Sequence, residues 1–196
     1  MTQHYYRQGS NRMTMLILSL TIVLGSCNEI SSPAQGLTVA ATGVKQPKMD
    51  IHTAILTNNL EVLKQHIAAR SNLNVKDPLG GSSPLISACL FNRAEMAELL
   101  IKAGADLNMR NNDGSTALHT AAFFCRPDIV KMLLNSGADK SVKNKYGNTA
   151  YEIVAGRFSD VKGMYVTLGK MLEPMGLKLD FAYIEKTRPE IAAMLK

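Results

Sequence analysis

The sequence predicts an all-α solenoid in which a pair of short helices recurs about every 33 residues. Two observations support this fold class. Several short motifs repeat in the same order at a fixed spacing, and alternating apolar and polar residues, which are typical of strands, are scarce. Hydrophobic residues make up 46% of the 196-residue chain and charged residues 19%, which is the composition of a globular protein.

The repeat is visible in pairs of segments that align without gaps. SPLISAC at 83–89 aligns with TALHTAA at 116–122, and GNTAYE at 147–152 aligns with GSTALH at 114–119, both at an offset of 33 residues. An upstream copy at 51–54 needs one extra residue to stay in register, and the loop KDPLGG before the second copy can hold it. Four copies in phase indicate that each unit packs on its neighbours, because a lone helix pair cannot bury its own apolar face.

The pattern resembles the ankyrin repeat. The resemblance is carried by a threonine-led first helix at 116–122, an Ile-Val-x-x-Leu-Leu second helix at 129–134, and Gly-Ala-Asp-x-Asn at 104–108. It implies an ankyrin-repeat solenoid over residues 50–172, made of helix-loop-helix units joined by hairpins. The approximate units are 50–75, 76–109, 110–142 and 143–172, followed by a C-terminal helical cap at 173–196.

Helix ends follow from residue chemistry. Ser83 precedes Pro84 at the expected start of a helix. The serine hydroxyl can accept a backbone N–H of the first turn, and proline fits that turn because the N–H it lacks would have no partner there. The resemblance implies a left-handed residue at the end of each first helix, where glycine is usual. Here those positions hold Asn58, Asn92 and Cys125, and cysteine adopts that conformation less readily than asparagine.

The fourth unit departs from the pattern. The segment 160–172 is expected to be its second helix although it contains Gly163 and Gly169. Arg188-Pro189 is expected to break the amphipathic cap into two helical turns, because proline disfavours helical backbone in the residue before it.

The N-terminus predicts export. Arg7 and Arg12 precede an apolar run at 13–24, which is too short for a membrane-spanning helix. The following Leu-Gly-Ser-Cys resembles the lipoprotein box of bacteria, which implies a signal peptide at 1–26, cleavage between Ser26 and Cys27, and lipidation of Cys27. An ordinary secretory signal or an uncleaved anchor remains the alternative. Residues 27–49 are then a flexible tether, and the expected location is the bacterial envelope, either periplasm or outer membrane.

The sequence offers no catalytic constellation. Metal-binding motifs and phosphate-binding glycine loops are missing from it, so we expect no enzyme activity, no cofactor, no metal and no small-molecule substrate. Removal of residues 1–26, with Arg7 and Arg12, lowers the net charge from +6 to +4, which is too small and too scattered for nucleic-acid binding. Cys89 and Cys125 lie out of step in adjacent repeats, which disfavours a disulfide. An enzymatic alternative would depend on four polar residues near the C-terminus: Asp160, Tyr165, Tyr183 and Arg188.

Apolar residues recur where the resemblance implies a groove beside the hairpins. They are Leu56, Leu90, Phe91, Phe123 and Phe124. Leu90 and Phe124 are expected to face this groove, whereas Phe91 and Phe123 could equally cover a neighbouring repeat. Arg110, Asp113 and Tyr146 at the hairpin tips supply candidate polar contacts. The predicted function is a non-catalytic module that binds a client protein; the alternative is an immunity or effector protein acting on a toxin or hydrolase.

Overall fold

The computed structural model describes residues 46–196, and the predictions of export, cleavage and lipidation at Cys27 lie outside that part of the chain. It contains nine α-helices in the described range and no strand there. The helices are α1 (Ile51–Leu56), α2 (Leu60–Ala68), α3 (Pro84–Leu90), α4 (Ala94–Lys102), α5 (Ala117–Phe123), α6 (Pro127–Asn135), α7 (Ala150–Ala155), α8 (Phe158–Leu172) and α9 (Phe181–Leu195). A 3₁₀ turn, Glu173–Met175, follows α8.

The helices stack in two layers. The inner layer is α1, α3, α5 and α7, each packed against the next. The outer layer is α2, α4, α6 and α9, again packed in that order, and each outer helix also contacts its inner partner. One continuous apolar core runs between the layers, as expected for a solenoid in which every unit depends on its neighbours.

Equivalent positions in successive units carry the core. Leu100 and Leu133 of the outer helices are one 33-residue repeat apart and have no solvent exposure, and Leu85 and Leu118 of the inner helices, also one repeat apart, are at most 1% exposed. Replacing any one of them with alanine would leave a cavity at a cost of about 2–5 kcal/mol. The repeated spacing in the sequence is therefore the spacing of one buried row of side chains.

The first helix of each of the first three units ends in left-handed backbone. Asn58, Asn92 and Cys125 have φ values of 57°, 55° and 52°. The chain then reverses so that the Arg126 N–H donates to the carbonyl of Ala121 at 2.9 Å. Cys125 thus adopts the conformation that the repeat requires, although a side chain with a Cβ makes it unfavourable by about 1–2 kcal/mol.

The fourth unit differs from the sequence expectation. Its second helix is α9 and not the segment 160–172, because Ile191 and Leu195 of α9 enter the same core as Leu133. The residues expected to form a separate cap at 173–196 therefore complete the last repeat. Helix α8 is an insertion between the two helices of that unit, and its aromatic residues join a separate cluster.

The expected break at Arg188-Pro189 was also wrong, since α9 continues through Pro189 to Leu195. Proline removes one backbone donor from the helix, yet Ile184 and Ile191 are buried on either side of it. Packing of both halves of α9 on the solenoid outweighs the local preference.

Candidate protein-binding groove

Helix α8 lies over the stripe of apolar residues on the inner layer. The ring of Phe123 stacks on Tyr165 with centroids 4.5 Å apart and planes inclined by 16°. Phe124 meets Phe123 edge to face at 5.0 Å and packs against Leu172 and Leu177. The two adjacent phenylalanines are thus used by the chain's own C-terminal region.

Tyr165 fixes α8 in place through its hydroxyl. This group donates to the backbone carbonyl of Phe123 at 2.6 Å and accepts from Arg188 Nη1 at 3.0 Å. Arg188 Nη2 donates to the carbonyls of Ile153 and Gly156 at 3.1 and 3.2 Å. Tyr165 and Arg188 are both buried. Through these internal contacts the two residues tie α8 and α9 to the inner layer.

A groove of about 400 Å³ remains open between α8 and the hairpin tips. Its size lies within the range of ligand-binding pockets in proteins. Its apolar wall comes from the inner layer and from α8, namely Ile86, Leu90, Phe123, Phe124, Ile153, Met164, Leu168, Met171 and Leu172. Its polar rim comes from the hairpins and includes Asn112, Asp113, Asn144 and Tyr146, with Leu79 at one edge. We call this site the groove.

The hairpins form a rigid rim because each is hydrogen-bonded to the next. The Asn112 N–H donates to the Gly80 carbonyl and the Lys145 N–H to the Asp113 carbonyl, both at 2.9 Å. Arg110 Nε donates to the Gly114 carbonyl at 3.1 Å, and its Nη2 donates to a carbonyl of the following hairpin. The rim is therefore preorganised for binding.

The structure brings five of the eight predicted contact residues to the groove, and these are Leu90, Asp113, Phe123, Phe124 and Tyr146. Phe124 was expected to be open to a partner, but only 6% of it is exposed. Leu56, Phe91 and Arg110 do not line the groove. Leu56 is exposed, Phe91 packs against the cluster around Phe124, and Arg110 braces the hairpins.

Sequence reasoning missed the wall formed by Met164, Leu168 and Met171. Their spacing of four and three residues is that of one helix face, so the signal was present in the sequence. From the sequence alone, this apolar face is interpreted as the core face of the second helix of the fourth repeat. In the structure α9 is that second helix, so the face of α8 is left to line the groove.

The groove contains one carboxylate, that of Asp113. Burial raises the pKa of Asp113, and the Tyr146 hydroxyl, 3.4 Å from Asp113 Oδ1, is its hydrogen-bond donor. Burial also lowers the pKa of His119. Its Nδ1 accepts from the Thr116 N–H at 3.3 Å, so the proton resides on Nε2, which donates to the Asn148 carbonyl at 3.1 Å. A neutral histidine therefore links one repeat to the next.

The two cysteines of the repeats are free thiols with no exposed surface. Burial raises the pKa of Cys89 to about 12 and that of Cys125 to about 11, so neither is a ready nucleophile. Residues 46–196 hold no group of three or more side chains suited to a metal ion.

Helices long and apolar enough to cross a bilayer are likewise missing from the described part of the chain. The longest helices there, α8 and α9, have 15 residues each.

Comparison with known proteins identifies the repeat. A family model for ankyrin repeats in three copies matches residues 51–144. Inversin of Gallus gallus is 37% identical over 59 residues, which are 30% of this chain and 5% of Inversin. The ankyrin repeat domain of Bcl-3, described as a unique member of the IkappaB protein family, matches at 33% identity with a TM-score of 0.51. That match covers 53% of this chain and 45% of the Bcl-3 chain, so the chain spans less than half the length of either relative.

Proposed function

Because the repeats at 51–144 are ankyrin repeats, which suggest a module for protein–protein contact, we propose that this chain binds a client protein through the groove. One observation supports the proposal most directly. The groove combines an apolar wall with a rim of hydrogen-bonded hairpins, the arrangement that protein-binding sites use for affinity and orientation. The open surface is smaller than the sequence suggested, since α8 covers Phe124.

We propose no catalytic role for the chain. The support is that the thiols of Cys89 and Cys125 are buried and protonated, and that Tyr165 and Arg188 are engaged with backbone carbonyls and with each other. A nucleophile within reach of a general base would be needed for covalent catalysis.

The test of client binding uses Leu79, which lines the groove and is 74% exposed. The full chain and its Leu79→Asp variant are used to capture proteins from a membrane extract of the source cells. Leu56→Asp is the matched control, because Leu56 is 38% exposed and lies outside the groove. We expect one client to be lost by Leu79→Asp and kept by Leu56→Asp. Equal capture by all three chains would refute the groove as the binding site.

The identity of the captured protein separates two versions of the proposal. A resident enzyme of the envelope would support a protein that holds or protects its client. A toxin or a secreted hydrolase would support the immunity or effector alternative.

We further propose that the chain is exported and lipid-anchored through Cys27. The support is the sequence alone: an apolar run at 13–24 followed by Leu-Gly-Ser-Cys. A Cys27→Ala chain should lose labelling by a radioactive fatty acid and should leave the membrane fraction while still capturing the client. Unchanged membrane association in that variant would contradict the proposed lipid anchor and would leave the proposal of client binding unaffected.

A further inference from the structure

The groove carries a feature that the client proposal does not use, namely a single negative charge on an otherwise uncharged lining. Asp113 is the one residue with a charged side chain among those that line the groove in the described part of the chain, since His119 is neutral. The rest of the lining is apolar or contributes only amides and hydroxyls. The charge thus lies at the edge of an apolar surface.

Asp113 forms no salt bridge with a cation of the described residues. Within residues 46–196 the ion pairs are Glu98–Lys102 and Arg157–Asp160, and neither involves Asp113. Arg110 donates to two hairpin carbonyls. Lys145, which is exposed on the next hairpin, attracts the Asp113 carboxylate but forms no salt bridge with it.

The hydrogen bonds of Asp113 leave capacity for a further donor. Its Oδ1 receives the Tyr146 hydroxyl at 3.4 Å, a long contact, and Oδ2 has no hydrogen-bond donor among the described residues. A half-buried carboxylate with one weak donor is poorly compensated, which agrees with its raised pKa. A ligand cation would supply both the missing charge and the missing donors.

The apolar part of the site accepts side chains of different shapes. Met164 and Met171 form part of the α8 wall of the groove, and methionine adapts to irregular partners better than branched residues do. Helix α8 is a fixed wall and is not itself displaced, because the buried Tyr165 hydroxyl joins it to the Phe123 carbonyl. The ligand therefore binds between α8 and the hairpins.

We propose that the groove selects a client segment in which one or two apolar side chains are followed by a lysine or arginine that pairs with Asp113. This deepens the proposed client binding and rests on it. Charge complementarity decides the occupant: an apolar segment ending in a carboxylate would meet Asp113 and be repelled.

The probes are two acetylated, amidated tetrapeptides, Ala-Leu-Leu-Lys and Ala-Leu-Leu-Glu. Binding is followed by the carbon-13 methyl signals of Met164 and Met171 in the full-length chain, kept free of detergent because detergent would compete for an apolar groove. We expect the lysine peptide to shift both signals and to bind about tenfold more tightly than the glutamate peptide. Equal affinities, or no shift with either peptide, would overturn the inference.

Asp113→Asn is the decisive variant, since it removes the charge and keeps an oxygen for the Tyr146 hydroxyl. It should abolish the preference for lysine with an unchanged circular dichroism spectrum. Glu95→Gln is the matched control, because Glu95 is exposed on α4 and does not line the groove; it should keep the preference. A client captured through Leu79 despite equal binding of the two peptides would leave the proposed function standing and refute the charge selection alone.

Discussion

Replacing Tyr165 with phenylalanine should destabilise the C-terminal part of the solenoid without changing its shape. The hydroxyl lies on a fully buried side chain, where it donates to the Phe123 carbonyl and accepts from Arg188. Losing a neutral hydrogen bond costs about 1 kcal/mol and losing one to a charged group about 1.5–3 kcal/mol. The free energy of unfolding should therefore fall by about 2.5–4 kcal/mol.

Urea unfolding followed by far-ultraviolet circular dichroism measures this loss. Since neighbouring repeats unfold partly independently, amide hydrogen exchange should show the effect concentrated in α8 and in the last helix pair. Tyr183→Phe is the control, because Tyr183 is 43% exposed and surface substitutions change stability by about 0.5 kcal/mol or less. A loss below about 1 kcal/mol for Tyr165→Phe, or an equal loss for both variants, would refute the idea that this hydroxyl fixes α8.

Three further predictions follow from burial and backbone geometry. The folded thiols of Cys89 and Cys125 stay protonated up to pKa values of about 12 and about 11, whereas the unfolded chain releases these protons above the ordinary pKa of 9.0. Between those ordinary and folded pKa values stability should fall by about 1.4 kcal/mol per thiol for each pH unit, and a thiol reagent should react with these two cysteines only after urea is added. Because burial lowers the pKa of His119, the unfolded chain binds its proton first, so stability should fall as the pH drops below 6.5, and a His119→Asn chain should lose that dependence. Gly163→Ala should raise the unfolding free energy by about 0.5–1 kcal/mol, since Gly163 lies within a helix and no atom lies within 4 Å of the position of an added Cβ. Gly137→Ala should lower the unfolding free energy, because φ at this residue is 87°. Midpoints of thermal unfolding that shift in the same direction in the two variants would contradict this.

The repeat itself could be predicted from the sequence because its determinants are local. The apolar rows recur at the offset of the structural unit, and Ser83 accepts the Ile86 N–H as the cap of α3. The left-handed positions were also predictable, since Asn58, Asn92 and Cys125 occupy one phase of the repeat. The extra residue before the second copy lies in a loop that closes from Asp77 to Ser82, one residue longer than the loop from Asn111 to Ser115.

The groove could be predicted only in part. Leu90, Asp113 and Tyr146 lie where the repeat pattern places variable contact residues. The sequence could not show that α8 crosses over Phe124, because both α8 and α9 have an apolar face and both are long enough to complete the fourth repeat. The repeat pattern led to the segment nearer in the chain, because that segment follows the first helix of the unit directly.

The sequence by itself determined the period, the helix pairs and the turns, since these depend on caps, left-handed positions and buried rows within about one repeat of each other. Only the tertiary structure decided which helix closes the solenoid and what covers the phenylalanines. The physical reason is competition between distant segments: Ile191 and Leu195 fill the end of the core, and Arg188 holds Tyr165 against Phe123. With α9 closing the core, α8 becomes the wall of the groove, and that position is set by packing and not by sequence order.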